Sequence, residues 1–123
     1  MLLLDTSAII EVLNGTKIGL SIKKEMESDE VITTVLNKYE IMVGIKPHEK
    51  EKTESFFEQM DVVPLTIKEM SLCIAINKKL TTAGKMINET DIFIAGICQE
   101  LDAAIITLDR DFLRVPQLKV RVF

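Results

Sequence analysis

A single histidine, His48, is all that this 123-residue chain has, and it lies in the polar segment KPHEKEK. Catalysis that leans on an imidazole base, such as a Ser-His-Asp triad, therefore has little support. Cysteine is almost as scarce: Cys73 and Cys98 form no CxxC pair, and each falls in a stretch with helical patterning. They are expected to be small buried hydrophobes in a reducing compartment. No apolar run approaches the roughly 18 residues of a membrane span, so no transmembrane helix is expected. The N-terminal MLLLDTSAII has no basic leader, and Asp5 interrupts its apolar stretch, so a cytoplasmic protein without a secretory signal is expected. Arginine is limited to Arg110, Arg114 and Arg121. No Gly/Ser linker, repeat or low-complexity tract divides the chain, and residues 1–123 are expected to form one domain.

What is present alternates. Short apolar runs at Met1 to Leu4, Val31 to Thr33, Asp61 to Pro64, Ala103 to Thr107 and Lys119 to Phe123 are separated by segments with helical spacing. Ser7 to Leu13 ends at Asn14-Gly15, and Lys17 to Glu27 carries Ile18, Ile22 and Met26 four residues apart. Thr33 or Thr34 can cap a helix running to about Ile45, which Pro47 stops. Glu49 to Met60 follows, then a longer helix capped by Thr66, with Met70, Cys73, Ile74 and Ile76 on its inner side. Asn88 to Leu101 is strongly apolar, and Asp109 to Leu113 forms a helical turn. Nearly all-apolar strands alternating with helices predict an α/β fold whose central, mostly parallel sheet is covered by helices on both faces.

Four acids stand out against this frame: Asp5 after MLLL, Glu40 within VLNKYEIMVGI, Asp91 heading DIFIAGIC, and Asp109 after AAIITL. Ligands of parallel α/β sheets bind outside the carboxyl ends of the strands, which is where Asp5 and Asp109 stand. Each acid taken singly has an ordinary explanation. Asp5 and Asp109 can cap helices, Asp91 can complement a helix dipole, and Glu40 can be an exposed helix glutamate. Taken together they favour a site. Glu40 is flanked by Tyr39, Ile41, Met42 and Val43, and Gly44 one turn on leaves space for a close approach. Asp91 shares its face with the small residues Ala95 and Cys98. A buried acid costs several kcal/mol unless paired or coordinating a metal, and no Lys or Arg adjoins Asp5 or Asp91. A hard divalent cation, Mg²⁺ or Mn²⁺, is the expected neutraliser. The net charge is −4; setting these four acids aside leaves the remainder neutral, which predicts modest nucleic-acid affinity rather than a broad basic face.

The segments LLLDTSAII, YEIMVGI, NETDIFIAGIC and IITLDRDF resemble the signatures of PIN-domain nucleases, and their order and the chain length resemble VapC-type toxins of toxin–antitoxin pairs. The resemblance spans essentially the whole chain. It implies a small PIN fold and a metal-dependent endoribonuclease that cuts RNA to leave a 5′-phosphate and a 3′-hydroxyl. It implies that Asp5, Asp91 and Asp109 ligate metal directly or through water, while Glu40 ligates or orients the attacking water. Thr107 matches the hydroxyl position before the last acid, and Thr6 or Ser7 the polar position after the first. The last motif offers both Asp109 and Asp111, and Asp109 is favoured because it follows the strand sooner. Lys85 and Arg110 are candidate RNA contacts. The implied partners are RNA, a cognate antitoxin and a second copy of the chain.

Other acidic α/β sites fit less well. A receiver-type domain wants a second acid beside Asp5, where Thr6 stands, and a haloacid-dehalogenase-like phosphatase wants an Asp at Ser7. An RNA-processing nuclease outside a toxin–antitoxin pair, or a silent PIN-fold binding module, remain as alternatives. The faces Ile18, Ile22, Met26 and Phe56, Phe57, Met60 are expected to pack in the core, with a docking groove as the second possibility.

Overall fold

Leu2, Leu3 and Leu4 are all buried, because β1 (Leu2–Leu4) is the middle strand of a five-stranded sheet covered on both sides. The computed structural model describes the whole chain, Met1–Phe123. The sheet order is β3 (Asp61–Val63), β2 (Val31–Thr34), β1, β4 (Ala104–Thr107), β5 (Lys119–Val122). Every neighbouring pair is parallel, so the sheet is wholly rather than mostly parallel. The connections between parallel strands are crossovers, carried here by α1 (Thr6–Asn14), α2 (Lys17–Met26), α3 (Val35–Gly44), α4 (Lys50–Glu58), α5 (Met70–Ala83) and α6 (Glu89–Glu100), and between β4 and β5 by a short 3₁₀ turn, Arg110–Arg114.

The two-residue period of a strand divides the core between the faces. Leu3, Ile32 and Ile105 pack with Cys73, Ile76 and Leu80 of α5 and with the buried side of α6. Leu2, Leu4 and Ile106 pack on the opposite face with Ala8, Ile9, Ile22, Ile41 and Phe57. Full burial of each Leu or Ile stabilises the fold by roughly 1.5–3 kcal/mol. Ile22 and Phe57 are thus core residues, whereas Ile18 of the same expected stripe is exposed. Ile74, expected on the inner side of α5, is 50% exposed. It follows Cys73 directly, and one residue turns a helix by about 100°, enough to carry a side chain out of the core.

Local chemistry sets the helix ends. Thr34 accepts the N–H of Asn37 at the start of α3, and Asn88 accepts that of Thr90 at the start of α6. Gly15 ends α1 at φ 62°, a left-handed conformation that suits glycine. At Gly19, an added Cβ would lie 2.0 Å from the Glu11 carbonyl oxygen, so only glycine lets α2 close onto α1.

The strand order contains one reversal. β1, β2 and β3 step in one direction, and β4 then returns to the other side of β1. A crevice opens at such a switch point, between the carboxyl ends of the two strands. Asp5 follows β1, and Asp109 follows β4 by two residues.

Candidate active site

Asp5 stands at the N-cap position of α1, yet its side chain makes no capping bond. It is 6% exposed, and three side chains donate to it instead. Asn37 Nδ2 donates to Oδ1 at 3.1 Å; Thr107 Oγ1 and Ser7 Oγ donate to Oδ2 at 2.7 and 3.3 Å. The hydroxyls also receive protons, from the backbone N–H of Asp109 into Thr107 and of Leu108 into Ser7. The segment after β4 is thereby tied to the end of β1.

Glu40 projects from α3, where the Thr6 hydroxyl donates to its Oε2 at 3.3 Å. The apolar setting expected for Glu40 is not found. Tyr39 and Val43 are each 69% exposed, and Glu40 is itself solvent-accessible. Sequence neighbours on a helix point about 100° apart, and the inward residues of α3 are Asn37 and Ile41. Gly44 likewise has no close neighbour: nothing lies within 4 Å of where a Cβ would stand. Asp91 is the third residue of α6, after the Asn88 cap. Ala95 and Cys98, the small residues on its side of the helix, are fully buried in the core. Asp109 does serve as a cap, as its Oδ1 accepts the N–H of Asp111 at 2.9 Å.

Asp5, Glu40, Asp91 and Asp109 nevertheless line one cavity of about 520 Å³, together with Thr6 and Ser7. Its apolar wall is Ile10, Leu36 and Tyr39. Asp111 does not line it and pairs with Arg114 at 3.5 Å. Lys85 and Arg110 are exposed and outside its lining. A second cavity of about 460 Å³ adjoins, sharing Ile10 and Glu40 and reaching His48 and Lys52.

No positive side chain offsets this charge. The five ion pairs of the chain, among them Arg121–Glu25 and Lys119–Asp102, involve none of the four acids. Burial pushes the Asp5 carboxyl above the usual range, partly countered by the bond from Thr107. Burial and then the neighbouring Asp5 raise Glu40. Asp91 is pushed up to about 7, first by burial and then by Asp5, Asp109, Glu40 and Asp111. Carboxylates that raise one another in this way form a site a cation would neutralise. Direct ligation by all three aspartates is not pre-formed, however. No group of three or more acidic, His or Cys side chains is arranged to hold an ion. Carboxylates facing each other without a counter-charge repel. An all-oxygen donor set still suits Mg²⁺, which takes one or two carboxylates and keeps several waters.

The PIN domain family model matches residues 2–118 of the chain. The chain belongs to the PIN domain family. Similar solved structures show the same PIN fold across nearly the whole length. A chain of VapBC2 from Rickettsia felis, bound to a DNA fragment from their promoter, has a TM-score of 0.84 at 15% identity, covering 99% of this chain and 98% of that one. A chain of VapBC-1 from nontypeable Haemophilus influenzae has a TM-score of 0.85 at 20% identity, with 98% and 96% covered. A toxin–antitoxin complex from Klebsiella pneumoniae gives a TM-score of 0.80 at 19% identity, with 99% and 97% covered. Among curated proteins no sequence match is significant.

One residue of this PIN site escaped the sequence reading. Asn37 is fully buried and bonds to both Asp5 and Thr6. The available signal was its spacing, four residues before the inward Ile41, where a poor helix former at a core position calls for a polar partner.

Proposed function

We propose that this PIN domain is a divalent-cation-dependent endoribonuclease and the toxin of a toxin–antitoxin pair. The supporting observation is the set of four carboxylates on one crevice without a basic partner, with Asp91 raised to about 7. Asp5, Asp91 and Asp109 would hold Mg²⁺ or Mn²⁺, with part of the coordination supplied by water. When bound, the ion supplies charge neutralisation at a scissile phosphate and a lowered pKa for a nearby water.

The side chains divide the remaining work. Asp5, which lines the cavity, is kept as a pure acceptor by donors from Asn37, Thr107 and Ser7. Glu40, held by Thr6, is the group that orients the attacking water. Asp91, pushed up to about 7 by burial and by the neighbouring carboxylates, is the acid whose ionised form a bound cation would favour most. No histidine is needed, which suits a chain whose only one is exposed.

The antitoxin partner is supported by the fold likeness to VapBC complexes, and a homodimer is proposed with it. The deciding experiment incubates the purified chain with single-stranded RNA with Mn²⁺, with EDTA, and as the Asp91→Asn variant. Cleavage only by the unmodified chain with Mn²⁺, leaving 5′-phosphate ends, supports the proposal. Cleavage that survives EDTA refutes the metal dependence, and no cleavage of any RNA refutes the activity.

A further inference from the structure

Two of the four acids come from different parts of the fold, Asp5 at the end of β1 and Glu40 on α3, and a single buried amide stands between them. We infer that Asn37 is a positioning residue, whose side chain fixes the Asp5 carboxylate directly and the Glu40 carboxylate through Thr6. The inference rests on the proposed metal-dependent site and names a part of its machinery.

The geometry determines which way the amide points. Ionised Asp5 can only accept, so the end of Asn37 facing its Oδ1 at 3.1 Å must be the NH₂ group. The same nitrogen donates to Thr6 Oγ1 at 3.0 Å. Thr6, having accepted there, sends its own proton to Glu40 Oε2. At the other end Asn37 Oδ1 accepts the Thr34 hydroxyl at 2.7 Å, so both ends of the amide are bonded. Thr34 in turn accepts the Asn37 backbone N–H, so the fork is built on the capping turn of α3.

Full burial of Asn37 is unusual for its residue type. A purely packing role at this position would be met by an apolar side chain, as Ile41 shows one turn further along. The fully bonded amide holds two carboxylates that would otherwise drift apart under mutual repulsion. Outer partners of this kind commonly set metal affinity, at roughly 10–100-fold each.

The test is a Mn²⁺ titration by calorimetry on the full chain without RNA, with melting curves in EDTA to follow folding separately. Wild type, Asn37→Ala, Asn37→Ser, Asp5→Asn and the Asp5→Asn/Asn37→Ala double variant are compared. The hydroxyl of Asn37→Ser is too short to reach Asp5, so this variant carries the same test should Asn37→Ala not fold. The expected result is a roughly 10–100-fold weaker Mn²⁺ affinity for either Asn37 variant. In the Asp5→Asn background, removal of Asn37 should cost clearly less than in wild type, because the part of its effect that passes through Asp5 is already lost. Unchanged affinity in the single variants, or losses that simply add in the double variant, overturn the positioning role. Wild-type protein that binds no Mn²⁺ overturns the metal site together with it.

Discussion

Thr107 Oγ1 lies 2.7 Å from Asp5 Oδ2, joining residues 102 positions apart at the ends of adjacent strands. The same oxygen accepts the backbone N–H of Asp109 at 2.9 Å. One hydroxyl therefore couples the first acid of the crevice to the chain segment that carries the last.

Replacing Thr107 by Val keeps the side-chain shape and removes both bonds. Asp5 loses a donor, and a partly buried N–H loses its acceptor, at a cost of about 1–3 kcal/mol. Denaturant unfolding should register that loss, and RNA cleavage by the folded fraction should fall by roughly 10–100-fold. Wild-type cleavage in a destabilised variant would make Thr107 a fold residue only.

Asp91→Asn should separate activity from stability in the opposite sense. Charge on Asp91 is unfavourable in the folded chain, since its carboxyl is pushed up to about 7. Allowing for solvent screening of this partly exposed group, the substitution should stabilise the metal-free protein by about 1 kcal/mol at pH 8. Cleavage should drop by at least about 100-fold, more than outer partners cost. A lower melting temperature for the variant at pH 8 would contradict the electrostatic account.

The same shift fixes a pH dependence. A carboxyl whose folded pKa is raised contributes stability that is present while it is protonated. That contribution is lost as pH climbs from the ordinary value of 3.8 to about 7. Mn²⁺ binding favours the ionised form, so its stabilising effect should be larger at pH 8 than at pH 5, and binding at pH 7 should release on the order of half a proton. Melting curves with and without Mn²⁺, and calorimetry in two buffers of different ionisation enthalpy, measure these quantities. Equal stabilisation at both pH values would count against Asp91 as a ligand.

The two acids of the LDRD segment should behave differently. Asp109 lines the crevice, whereas Asp111 lies outside it and pairs with Arg114. Asp109→Asn should abolish most cleavage. Asp111→Asn should change the rate by less than about threefold, in keeping with an exposed ion pair of small energetic weight. Rates measured under single-turnover conditions decide, and the reverse order would move the ligand to Asp111.

Much of the scaffold was legible in the residue pattern. Five apolar runs separated by helical spacing gave the alternation; Thr34 and Asn88 marked helix starts that the structure keeps, while Thr66 caps a short 3₁₀ turn that precedes α5. Asp5 and Asp109 could be placed at a strand edge because that position depends only on what precedes them. Less accessible was the direction of side chains on helices. The apolar neighbours of Glu40 suggested burial, yet Tyr39 and Val43 face solvent. Adjacency along a helix is not adjacency in space.

Strand and helix formation, capping and the hydrophobic division of the two sheet faces are determined by interactions within a few residues, and the sequence carries them in its spacing. The meeting of Asn37 with Asp5, the tie from Thr107 and the upward shift of Asp91 were decided only when the sheet closed in the order β3-β2-β1-β4-β5. Hydrogen bonds and Coulomb repulsion act through space between groups tens of residues apart, and no local pattern records which groups the crossovers will bring together.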